Sequence, residues 1–202
     1  MTSPEKISRF YNANFKALCN RYSSLTFSDV HANLLESLPP PPRRVLDVGA
    51  GIGRDTLELY RLGYFVTACE PTKAFRLIGK CRSVDTAIVW VNDKLPYLNA
   101  VLGFRSQYDV ILVSAVWMHL SETERLQSLA TIKKLLTEDG FAYITYRSKS
   151  VDIEDIYFDL SVVDFKMEID SSGLMTQHEF VSKDIEGRES VNWYGFIVRN
   201  KI

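Results

Sequence analysis

The chain has no uninterrupted apolar stretch near the roughly 18 residues that a bilayer-crossing helix needs. Its longest, starting at Val110–Val113, is broken by Ser114 and His119. Cysteine is scarce as well. Cys19, Cys69 and Cys81 are scattered without the spacing of a disulfide framework or a zinc site. Charge of one sign is also missing: 24 Lys and Arg stand against 25 Asp and Glu, for a formal net charge of −1. Nucleic acid and anionic membranes are therefore disfavoured as partners. The basic pairs Arg43-Arg44 and Lys133-Lys134 are explained as solvated faces. The residues after Met1 lack a basic-then-apolar secretory pattern, and the odd thiol count fits a reducing compartment. The expectation is a cytoplasmic protein, monomer or homodimer, with no metal site and no membrane partner.

What is present is concentrated at Arg44-Val45-Leu46-Asp47-Val48-Gly49-Ala50-Gly51-Ile52-Gly53-Arg54-Asp55-Thr56. A β-branched apolar run meets a glycine-rich turn and then a helix-prone segment, the pattern of a buried parallel strand feeding a ligand loop. A dinucleotide loop wants a third small residue for close helix packing. Counting from Gly49 and Gly51, Arg54 stands there; counting from Gly51 and Gly53, Thr56 does. The phosphate loop Gly-x4-Gly-Lys-Ser/Thr is absent. Asp47 would repel a diphosphate and favour a ligand with a positive centre. Glu70 ends a second apolar run, Tyr64–Cys69, roughly 20 residues further on, where a βαβ unit returns to the ligand edge. A carboxylate there can accept two ribose hydroxyls. It can equally cap the next helix, whose first turn Pro71 favours.

Along the chain, Ile7, Phe10, Tyr11, Phe15, Leu18 and Tyr22 recur at helical spacing, and a second helix is expected over Ser28–Leu38 with Ser28 or Asp29 as cap. Four prolines, Pro39–Pro42, make a stiff connector. Strands are then expected at Arg44–Val48, Phe65–Cys69, Ala87–Val91, Asp109–Ser114 and Phe141–Arg147. Helices are expected at Arg54–Leu62, Lys73–Cys81, Leu95–Leu102 and Ser121–Leu136, the last opened by a Ser121/Glu124 capping box. The end changes rhythm: a helix at Ser161–Ser172, then antiparallel strands near Leu174–Val181 and Val191–Arg199. The length of 202 residues fits a single domain. Within it, 1–42 form a helical cap, 43–150 a cofactor-binding core, and 151–202 a helix with a strand pair.

With those residues in place, the chain resembles the class I S-adenosylmethionine-dependent methyltransferases, most clearly from Arg44 to Arg147. The likeness implies an α/β, Rossmann-like seven-stranded sheet in order 3-2-1-4-5-7-6, strand 7 antiparallel, with helices on both faces. It implies S-adenosyl-L-methionine as cofactor, held by Asp47, Gly49, Ala50, Gly51 and Gly53 in the loop and by Glu70 and Pro71 after strand two. Asn92 and Asp93 after strand three, and Ser114 and Ala115 at the end of strand four, complete that set. Leu135-Leu136-Thr137-Glu138-Asp139-Gly140 is similar to the family's turn before strand five.

Methyl transfer from a sulfonium asks mainly for orientation, plus a base if the acceptor is protonated. Candidate acceptor-side residues are His119 as base, Trp117 as pocket wall, and Arg147 as a clamp for a carboxylate or phosphate. The competing readings are core packing for Trp117, a helix cap for His119 and a surface salt bridge for Arg147. Tyr11 and Tyr22 read as packing residues or as groups closing over the cofactor. No Asn/Asp-Pro-Pro-aromatic motif and no Pro-Cys follow strand four, which points to a small-molecule acceptor. Three other readings stay open: a non-catalytic binder of S-adenosylmethionine or S-adenosylhomocysteine, a methyltransferase acting on tRNA or protein, and a nicotinamide enzyme, which Asp47 and Arg54 disfavour.

Overall fold

The computed structural model describes residues 4–104, 106–147, 156–189 and 191–201. The boundary expected between core and C-terminal part, at 150/151, lies outside them. Three helices, α1 (Pro4–Ala13), α2 (Phe15–Ser24) and α3 (Phe27–Leu35), precede β1 (Arg44–Val48). Alternation follows through α4 (Arg54–Arg61), β2 (Phe65–Cys69), α5 (Lys73–Arg82), β3 (Val89–Val91), α6 (Asn99–Gly103) and β4 (Tyr108–Ser114). A 3₁₀ turn at Trp117–His119 leads to α7 (Glu122–Leu135), β5 (Leu136–Arg147), α8 (Val162–Ser171), β6 (Leu174–Lys183) and β7 (Asn192–Asn200). The strands form one seven-stranded sheet in order β3-β2-β1-β4-β5-β7-β6. β7 runs antiparallel to both β5 and β6, whereas the β1–β2, β1–β4, β2–β3 and β4–β5 pairs are parallel.

Both faces of the sheet carry an apolar core over its central strands, and the strand period of two sorts residues between them. Leu46, Val48, Ile111, Val113 and Ile144 join one core with Leu129, Ile132 and Phe165 from α7 and α8. Val45, Val110, Leu112, Tyr143 and Ile197 join the other with Leu34 of α3 and Leu59 of α4. Strands covered on both faces after an exposed first residue read as near-continuous apolar runs, which is why β1 and β2 were legible to the residue.

Several elements depart from expectation: the N-terminal helical stretch divides at Asn14 into α1 and α2, and β5 starts at Leu136 rather than Phe141. α6 starts at Asn99 rather than Leu95, because the residue before Pro96 is driven out of the helical region. Asp93 instead accepts the N–H groups of Ala100 (2.7 Å) and Val101 (3.2 Å). β3 is shorter than expected, Val89–Val91. α3 begins at Phe27, capped not by Ser28 or Asp29 but by Thr26 in a reciprocal capping box with Asp29. Thr26→Ala should therefore cost about 1 kcal/mol of stability, read as a shifted urea midpoint at unchanged slope.

Candidate active site

The glycine turn sits at the carboxyl ends of β1 and β2 and is stitched to the latter. Gly49 and Ala50 donate their N–H groups to the Cys69 carbonyl at 2.8 and 3.0 Å. Gly49 has φ 76°, and a Cβ there would run into the Val116 side chain. Beside it, the Glu70 carboxylate accepts the Gly51 N–H (2.8 Å) on one oxygen and the Thr72 N–H (2.6 Å) on the other. Burial pushes the Glu70 carboxyl up, and these backbone donors oppose the shift. Glu70 thus ties the loop down and receives the N–H of Thr72, the residue that opens α5.

A cavity of about 840 Å³ opens over these strand ends, a size typical of small-molecule sites. Its wall includes Gly49, Ala50, Gly51, Glu70, Pro71, Asn92, Asp93, Ser114, Ala115, His119 and Arg147. Ala115 holds a left-handed φ of 57°, a strained backbone of the sort found at functional sites. Tyr11, Tyr22 and Asn33 from the N-terminal helices reach the same space. An ion pair between Arg21 of α2 and Glu186, in the turn after β6, fastens that cover to the far side.

Three expected site residues lie off the wall. Asp47 points under the turn into the strand–helix interface, where Thr56 Oγ1 donates to it at 2.5 Å. Burial, reinforced by the nearby Asp55, raises its carboxyl to about 7. Gly53 starts α4 at φ 83° and packs against the Trp90 ring. Trp117 is fully buried against Phe165, ring centroids 5.3 Å apart. In a 3₁₀ turn neighbouring side chains diverge by about 120°, so Trp117 enters the core while His119 faces the cavity. Asp93 reaches the wall, but its carboxylate accepts the α6 N–H groups and that of Lys94.

His119 is the most closely specified group. Its Nδ1 lies 2.9 Å from the Ile156 carbonyl, which can only accept, so the neutral ring carries its proton there. The Nε2 lone pair then accepts from Tyr11 Oη at 2.9 Å. Tyr157 stacks on the imidazole at 4.9 Å. Burial lowers the His119 pKa to about 4, with Arg147 pushing the same way against the Ile156 contact. Burial also raises both cover phenols, Tyr22 to about 12, so Tyr11 and Tyr22 stay protonated. Tyr11 was read from sequence as packing or cover; its partnership with His119, 108 residues away, had no sequence signal beyond a hydroxyl on an otherwise apolar helix face.

A second buried group braces the loop from below. Asp55 accepts Arg54 Nε on one oxygen (2.6 Å), and Arg54 Nη2 (2.9 Å) and His31 Nε2 (3.0 Å) on the other. Burial alone would raise its carboxyl, but His31 and Arg54 outweigh that and hold it below the usual carboxylate range. His31 is buried without exposure, which fixes α3 to α4. Sequence reasoning missed this cluster. Among the described residues no group of acidic, histidine or cysteine side chains is arranged to hold a metal.

A family model described as a methyltransferase domain matches residues 20–184. The chain belongs to the class I S-adenosylmethionine-dependent methyltransferases. An uncharacterized methyltransferase of Bacillus licheniformis is 26% identical over 114 residues, 56% of this chain and 52% of that one. One from Alkaliphilus oremlandii is 30% identical over 101 residues, 47% and 41% respectively. The chain thus spans about half the length, or less, of these curated relatives. Among solved structures, a TehB-like S-adenosylmethionine-dependent methyltransferase from Corynebacterium glutamicum aligns with a TM-score of 0.70 at 20% identity, over 98% of this chain and 100% of that one. The Burkholderia thailandensis 1,6-didemethyltoxoflavin-N1-methyltransferase, bound to 1,6-didemethyltoxoflavin and S-adenosylhomocysteine, aligns at 0.75 and 15% identity, over 100% and 92%. These structures share the class I methyltransferase fold, and the sheet order found here is the one the sequence resemblance implied. S-adenosylmethionine is the cofactor that membership brings, and no helix among the described residues is long and apolar enough to cross a membrane.

Proposed function

We propose that the chain transfers a methyl group from S-adenosylmethionine to a small acceptor held under the N-terminal helices, with His119 taking the acceptor's proton. The observation that carries this reading is the joint placement, in one cavity, of the Gly49–Gly51 turn, buried Glu70 and the lone pair of His119 Nε2. The residues fit the cofactor. The turn lacks side chains where a ligand's backbone must come close, Glu70 offers carboxylate oxygens to ribose hydroxyls, and Asn92 lies on the wall after β3. When bound, S-adenosylmethionine supplies an electrophilic methyl on sulfur and leaves as S-adenosylhomocysteine. His119, neutral across the physiological range, receives the proton at Nε2 once Tyr11 Oη gives way, and Ile156 keeps the ring oriented through Nδ1. The cover formed by α1–α3 excludes water and favours a small acceptor over a macromolecule. The small heteroaromatic substrate bound by the Burkholderia neighbour agrees with that size class.

Calorimetry with S-adenosylhomocysteine and NADH, followed by radiolabelled methyl transfer into a metabolite extract, tests the assignment. Binding of the adenosyl thioether without NADH binding, and label in a small product, is expected; tight NADH binding alone would overturn it. Glu70→Ala should weaken S-adenosylhomocysteine about 10- to 100-fold, the worth of hydrogen bonds to a charged acceptor. An unchanged dissociation constant would remove Glu70 from the cofactor site.

A further inference from the structure

Several basic side chains line the cavity, and all but one have an obvious electrostatic fate. Arg54 is paired with Asp55, Arg188 with Asp184 and Glu186, and Arg21 with Glu186. Lys94 and Lys183 are exposed to solvent. Arg147 is different. It is only 5% exposed, yet among the described residues no carboxylate lies within ion-pair distance; its recorded contact is with the Tyr157 ring, 4.5 Å from the guanidinium carbon. Among the described residues Arg147 does not make the surface salt bridge considered from sequence. A buried cation that meets no carboxylate among the described residues is costly, and a planar guanidinium is shaped to take a carboxylate through two parallel N–H bonds.

The surroundings define what carries that carboxylate. Tyr143, Thr145 and Arg147 are alternate residues of β5, and their register partners on β7 are Ile197, Gly195 and Trp193. Arg147 and Trp193 thus stand opposite each other on one face of the sheet. At Gly195 there is no side chain, and the Phe180 ring fills the space where a Cβ would be, stacked on Tyr143 at 5.5 Å. Tyr143, Tyr157, Phe180 and Trp193 thus all line the cavity alongside Arg147. Tyr157 carries the Arg147 guanidinium and also stacks on His119, so anion clamp and base share one ring.

We propose that the acceptor is a planar aromatic carboxylic acid, its carboxylate clamped by Arg147 and its ring lying on the β5–β7 face beside Tyr157 and Trp193. The proposal rests on the methyltransferase reading and narrows its substrate class. It also assigns Arg147 a second consequence: an anion seated on it offsets the positive charge that Arg147 directs at His119, leaving the imidazole a better proton acceptor when substrate is present.

The test uses the full chain loaded with S-adenosylhomocysteine. Benzoate, salicylate and naphthoate are titrated calorimetrically against benzamide, salicylamide and naphthamide. At least one acid is expected to bind tenfold or more tightly than its amide. Arg147→Met should bring that ratio to within about threefold, and Arg147→Lys should leave it intermediate. S-adenosylhomocysteine affinity, measured on each preparation, reports that the fold is intact. Equal binding of acids and amides by the unaltered chain, or an undiminished preference in Arg147→Met, would overturn the proposal. If S-adenosylhomocysteine binds but no acid exceeds its amide, only the acceptor class falls; if S-adenosylhomocysteine fails to bind, the methyltransferase reading falls with it.

Discussion

Replacing His119 with alanine or glutamine is expected to lower kcat about 10²- to 10⁴-fold, the usual contribution of a positioned base. S-adenosylhomocysteine affinity should be nearly unchanged, because the imidazole meets Tyr11, Ile156 and Tyr157 rather than the glycine turn. Full turnover in both variants would eliminate the base role. The acid limb of kcat/KM should lie near pH 4 rather than 6.5, since burial keeps the ring neutral in the free enzyme. Stability should follow the same titration. The folded pKa is about 4 and the unfolded one near 6.5, so as pH falls the unfolded chain takes the proton first. The His119-linked stability is thus complete above about 6.5 and is lost as pH drops toward 4, by roughly 3 kcal/mol. Denaturant titrations across that window should show a shallower slope in the glutamine variant.

Asp55→Ala should be the most damaging single change to the fold, costing about 3–5 kcal/mol, because it strands two groups together. Arg54 would lose a carboxylate at 2.6 Å, and the buried His31 would lose the acceptor of its Nε2–H at 3.0 Å. Among the described residues His31 Nδ1 has no hydrogen-bond partner, so the ring has no second hydrogen-bond anchor there. Asp55→Asn should recover part of the loss by keeping an acceptor in place. The cluster links α3 to the start of α4, directly after the glycine turn, so weaker S-adenosylhomocysteine binding is expected to accompany the destabilisation. Urea unfolding of both variants decides it: a loss below about 1 kcal/mol in the alanine variant would show that the cluster does not brace the loop.

The pattern of elements was open to sequence reasoning because it rests on local physics. β1 and β2 coincide with their expected limits, since buried parallel strands are continuous apolar runs bounded by a glycine turn or a proline. α7 was readable through its Ser121/Glu124 capping box, which forms as expected. Thr26 and Asp29 make the same signature, and it was overlooked in favour of nearer polar residues. Gly49, Gly51 and Glu70 were expected at the ligand edge because backbone approach and a strand-end carboxylate have a fixed place in a βαβ unit, and all three line the cavity. In the same stretch the Asp47 side chain meets Thr56 rather than lining the cavity, a direction that its place in the sequence does not fix.

From the residues alone came the sheet, its order through the family likeness, and the edge where ligands bind. Those follow from periodicities of two and 3.6, which each segment carries in itself. Only tertiary packing decided which polar groups meet: Tyr11 over His119, His31 on Asp55, Arg147 on Tyr157. It also decided that Trp117 turns into the core. Such contacts join residues far apart in the chain through side-chain directions that no local rule constrains, and they exist only once the core has closed around them.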